Sequence, residues 1–172
     1  FRLRMAAAPT LADVEPHIVY EIEAMCRAAA RYAEEVGATV NQATPSDWRD
    51  AVFFLEASLI HARTLVMLFG YPGKGERKVL RALGAPKGHK DAFIAGFSHP
   101  SATAKKAYGQ LSELLAHVGA ARWQAPLQVD VHQPVEVAIA VLDALEDSGV
   151  SGCNAAIKGA IEDGRQLVTD AV

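Results

Sequence analysis

The stretch from Val52 to Phe69 constrains the fold more than any other part of the chain. Val52, Phe53, Phe54, Leu55, Leu59, Ile60, Leu65, Val66, Met67, Leu68 and Phe69 cover nearly every side of a helix. Such a helix either crosses a membrane or runs through the middle of a protein core. Glu56, His61 and Arg63 stand in the middle of the run, and ionisable groups are costly at the centre of a bilayer. The segment is therefore expected to be the buried central helix of a soluble bundle, near residues 46–69. Pro45-Ser46-Asp47-Trp48 opens it and Gly70 closes it.

Further helices surround it in the sequence. Val14, Ile18, Ile22, Met25, Ala29, Tyr32 or Ala33, and Val36 recur every three or four residues and predict a helix from Asp13, its expected N-cap, to Gly37. Pro16 fits its first turn, and Glu21, Arg27, Arg31 and Glu34 are expected on a solvated face. A short helix is expected at Glu76–Leu83, closed by Gly84 and Pro86. Lys87–His99 has no sustained period and reads as a loop with a helical turn near Asp91–Ala95. Pro100 opens a third long helix through 101–123, with Ala104, Tyr108, Leu111, Leu115 and Val118 on its apolar face. Pro134 starts a fourth, carrying Val135, Ala138, Ile139, Val141, Leu142 and Leu145. Asn154 can cap a final helix, which Gly159 and Gly164 weaken by about 1 kcal/mol each relative to alanine. The strand-like alternation Leu127–Val131 is too short to outweigh these patterns.

The expected fold is thus all-α: four long helices plus a weaker C-terminal one, in one domain. Residues 13–147 form the bundle, and 148–172 a linker and the last helix of the same domain. Residues 1–12 are read as a disordered or cloning-derived N-terminus, with Met5 a natural start. The 32 alanines among 172 residues agree with a helical chain. A net charge of −3 and a pI near 6.1 exclude a protein that coats nucleic acid nonspecifically, and nothing points to DNA specificity. Cys26 and Cys153 form no CxxC pair, and a reducing cytoplasm fits them.

Few residues carry a chemical signal. Gly73-Lys74-Gly75 lacks the spacing of a phosphate-binding loop. The six histidines show neither HxxxH nor HExxH spacing, so neither metal nor cofactor is expected. Arg77-Lys78 with Arg81, and Lys105-Lys106, read as solvated helix surface. On the central helix Glu56 and Arg63 share a face, about 10.5 Å apart along the axis, while His61 points more than 90° away. Buried charges there need partners from other helices, forming either a structural polar network or a polar site in a groove. On the third helix His117 falls beside Gln110 and Glu113, with Arg122 five residues on. Its side chain suits acid–base work if a groove holds it.

Leu55-Glu56-Ala57-Ser58-Leu59-Ile60-His61-Ala62-Arg63-Thr64-Leu65 resembles the LExxxxHxRxL helix motif of bacterial HEPN-like proteins. His117 and Arg122 match a second, later motif of that group, in which Gln110 replaces an arginine and Ser112 an asparagine. The resemblance spans about residues 47–123. It implies an α-helical bundle, a homodimer, and a place in a bacterial defence or toxin-type system. Active members of the group cut RNA without metal, using an arginine and a histidine from both protomers. Gln110 supplies no cation, so the resemblance implies a catalytically silent module that binds an RNA or protein partner. The alternative is a metal-independent ribonuclease in which His117 acts with Arg63 or Arg122, and Glu56 supports them. His61, Arg122, Gln110 and Ser112 are then the expected binding residues.

Overall fold

The computed structural model describes residues 8–39, 47–98 and 133–172, and among these it contains six helices and no strand. They are α1 (Leu11–Thr39), α2 (Asp47–Gly70), α3 (Lys74–Ala82), α4 (His89–Ser98), α5 (Gln133–Asp147) and α6 (Ala155–Asp170), with a 3-10 turn at Ser151–Cys153 before α6. The all-α bundle expected from the periodicity is present. The third long helix expected at 101–123 lies outside the described residues, as do His117, Arg122, Gln110 and Ser112.

The start of α1 shows how local chemistry sets a boundary. The Asp13 carboxylate accepts from the Thr10 backbone N–H at 2.8 Å and from the Thr10 hydroxyl at 2.6 Å. These bonds hold its carboxyl below the ordinary aspartate range. Asp13 therefore reaches back from the first turn instead of serving as the N-cap, and α1 begins at Leu11, inside the segment expected to be disordered. Pro16 falls in the second turn and leaves the Ala12 carbonyl without its helical N–H partner. Ala12 is exposed, so water can reach it. The buried side of α1 is the expected stripe: Val14, Ile18, Ile22, Met25, Ala29, Tyr32, Ala33 and Val36, with Cys26 added. Its outer side carries Glu23–Arg27 and Arg31–Glu34 pairs at 2.9 Å, each worth only about 0.3–0.5 kcal/mol.

Helix α1 packs most extensively on α2, then on α6. Helix α5 touches α1, α2, α4 and α6, and Val137, Ala138, Val141, Leu142, Ala144 and Leu145 on it are fully buried. The all-round burial expected of α2 is not found there. On α2 one side is buried through Leu55, Ser58, Leu59, Ala62, Leu65, Val66 and Phe69. The other leaves Phe53 65% exposed, Ile60 49% and Met67 48%. Phe53–Gly70 is long and apolar enough to cross a membrane by composition, and half of it is buried against the rest of the chain, as in a core helix.

The segment read as a loop from Lys87 to His99 contains α4. Its helix is stabilised by packing rather than by its own pattern. Phe93 is buried in a run of rings between Phe69 and Phe97, and Gly96 brings α4 close to α5. A Cβ on Gly96 would lie 3.1 Å from the Ala144 Cα.

The C-terminal helix is a full 16 residues, firmer than its glycines suggest. Asn154 caps it, accepting from the Ile157 N–H at 3.0 Å and donating to Glu15 of α1 at 2.6 Å. Arg165 bridges to Asp143 and Glu146 of α5. Gly164 is buried against Cys26, whose Sγ would stand 2.8 Å from an added Cβ. Burial pushes the Cys26 thiol up to about 12, so it packs as a neutral group. Gly164→Ala should therefore destabilise the fold by about 1–3 kcal/mol by overpacking, although alanine is the better helix former by about 1 kcal/mol. In chemical melts, combining it with Cys26→Ala should cost less than the sum of the two single changes, because the colliding sulfur is gone.

Candidate outward face and groove on helix α2

Helices α1 and α2 run antiparallel. Glu21 meets His61, and seven residues earlier on α1 Val14 faces the same groove as Leu68. Where their outer edges diverge, α3 folds alongside and leaves a groove of about 650 Å³. Val14, Ile18, Ile60, Met67, Leu68 and Val79 form its apolar walls, and His17, Glu21, Arg63, Thr64 and Glu76 its polar ones. That volume lies within the range of about 300–1,000 Å³ typical of ligand sites.

Glu56, His61 and Arg63 of α2 end in different places. His61 is half-buried, and its Nδ1–H donates to the Glu21 carboxylate at 2.7 Å. The Tyr20 ring meets it edge-on, with centroids 5.6 Å apart. His61 is thus held toward α1 and does not share the face of Glu56 and Arg63, as the helical spacing indicates. Glu21, expected on a solvated surface, is the buried-side partner that His61 needs. The signal for it was its place between Ile18 and Ile22, at the flank of the α1 stripe. Glu56 is half-buried on the outward face. Arg63 is exposed at the groove and forms no ion pair among the described residues. Of the other expected site residues, His117, Arg122, Gln110 and Ser112 lie outside the described residues.

Sequence reasoning missed the contribution of α1 and α3. His17, Glu76 and Val79 sit on helix faces that read as ordinary surface or minor core. Only the tertiary arrangement brings them to Arg63. Among the described residues, no group of three or more His, Cys, Asp or Glu side chains could hold a metal ion. Chemically, the arrangement offers a guanidinium able to hold a carboxylate or phosphate beside apolar walls. The histidine on the same helix is already committed to a carboxylate.

No family model, no curated protein and no solved structure matches the chain.

His61 and Arg63 should respond differently to removal. His61→Ala leaves the half-buried Glu21 without its partner and should cost about 1–3 kcal/mol. Arg63→Ala removes an exposed side chain with no ion pair among the described residues and should stay within about 0.5 kcal/mol of the parent. Urea melts of the two variants check both values.

Proposed function

We propose that this chain is a catalytically silent, HEPN-like helical-bundle module that acts by binding a partner in a bacterial defence or toxin-type system in the cytoplasm. The observation that carries the reading is the outward face of α2. Phe53, Ile60 and Met67 stand in line with about half or more of their surface exposed, and the groove opens beside them. Exposed apolar patches of this kind mark interaction sites in soluble proteins. The α2 motif that resembles HEPN-like proteins lies on this same face through Glu56 and Arg63. Its histidine, His61, is occupied by Glu21, and Gln110 brings no cation where the resemblance places an arginine.

The alternative of metal-independent RNA cleavage makes a distinct demand. His117 must then act as general acid–base, with Arg63 or Arg122 at the phosphate. Incubating labelled RNA with the protein in chelator, alongside His117→Ala and Arg63→Ala, separates the two. The binding reading expects no cleavage by any of the three and an unchanged melting temperature for Arg63→Ala. Cleavage by the parent protein that falls by about 10²–10⁴-fold in His117→Ala would establish the ribonuclease instead.

A further inference from the structure

Helix α3 is the most sharply two-sided helix of the chain. At about 100° per residue, Lys74, Arg77, Lys78 and Arg81 fall within about 100° of its circumference, and no other side chain of α3 falls in that arc. Leu80 and Leu83 are buried on the opposite side, where Glu76 and Val79 line the groove. All four cations are exposed, and among the described residues none forms an ion pair. Lys87 and Lys90 follow, also exposed, beyond the tight turn that the Ala85 N–H closes by donating to the Leu80 carbonyl at 3.0 Å. Residues 74–90 thus hold six Lys and Arg and one acid, a net of +5 in a chain of net −3, which leaves −8 on the rest. Four like charges so close repel one another, and a surface that leaves them all unpaired is suited to an anionic partner.

We infer that the outer face of α3 docks on anionic lipid headgroups and holds the protein at the surface of a negatively charged bilayer. The apolar side of α3 is occupied by the protein's own core, so the attachment is electrostatic and peripheral. Its stripe of cations runs about 10 Å along a convex helix at about 1.5 Å per residue, a shape that a plane of headgroups meets with all four at once. A protein partner would need apolar anchors seated in pockets, and a single nucleic-acid strand would need aromatic rings on which to stack. The arc offers neither, whereas a charged lipid surface requires only the cations. The opposite charge of the rest of the chain turns α3 toward the negative plane. At the N-terminal end of the stripe Tyr71 is 59% exposed, and tyrosine favours the depth of lipid headgroups.

Co-sedimentation with lipid vesicles tests this. At low salt the parent chain should bind vesicles of equal parts phosphatidylglycerol and phosphatidylcholine, should ignore vesicles of phosphatidylcholine alone, and should be released by high salt. Each cation near such a surface contributes about fivefold in affinity, equivalent to about 1 kcal/mol. Lys74→Gln/Lys78→Gln should therefore weaken binding about 25-fold with unchanged helix content. Arg77→Gln/Arg81→Gln should do the same, so the result does not hang on the folding of one variant. Arg27→Gln/Arg31→Gln on the outer side of α1 removes the same charge and should leave binding near the parental value. A parent that does not bind the anionic vesicles overturns the proposal, as does equal binding to the neutral ones. Equal weakening by the α1 variant overturns the site, because net charge alone would then govern binding. A single-stranded RNA oligonucleotide that binds the parent more tightly than the vesicles, and loses that affinity in Lys74→Gln/Lys78→Gln, overturns the lipid as occupant. The outward face of α2 takes no part in these measurements, so their failure is distinct from a failure of the binding reading.

Discussion

The antiparallel packing of α1 on α2 is the contact on which the rest of the structure depends. It buries the long stripe of α1 and one side of α2, and so decides which side of α2 faces outward. An apolar helix leaves that choice open, because nearly every rotation about its axis hides a similar amount of hydrocarbon. The His61–Glu21 hydrogen bond fixes the rotation. A half-buried carboxylate and imidazole satisfy each other in one register, and a shift of either helix would leave both without a partner. Once that rotation is set, Phe53, Ile60 and Met67 are left exposed, and Ile60, Met67 and Arg63 line the groove.

The small residues then set how closely the other helices approach. Gly164 lets α6 settle against Cys26, and Gly96 lets α4 settle against α5. Both glycines weaken their helices locally, yet both helices are intact because the close approach buries surface along them. Helix α5 gains most from this arrangement. It is short, but it lies among four neighbours and buries all of its apolar side chains except Ile139, which is half-buried.

Much of this was legible in the sequence where apolar and polar residues contrast. The buried stripe of α1, the Asn154 cap and the extent of α2 follow from periodicity and capping chemistry. Helix α4 was not legible, because its mixed pattern becomes a helix only when Phe93 and Gly96 meet neighbours from elsewhere in the chain. The exposed face of α2 was half legible. Its uniform apolar composition hid which side was outward, while Glu56 and Arg63 both lay on that side and marked it. The partner of His61 was hidden by distance, since Glu21 is forty residues away in sequence and looks solvated on its own helix. The α1 and α3 walls of the groove were hidden for the same reason.

The functional account requires that the α2 strip be open to solvent in the single chain, as a surface available for recognition. Thiol labelling tests this most directly, comparing Ile60→Cys with its neighbour Leu59→Cys, both in a Cys153→Ala background. In dilute solution the thiol at position 60 should react at close to the rate of a free thiol, while the one at 59 should react only when the chain unfolds. Equal protection of the two positions in dilute solution would mean that the rest of the chain covers this face, and would contradict the account.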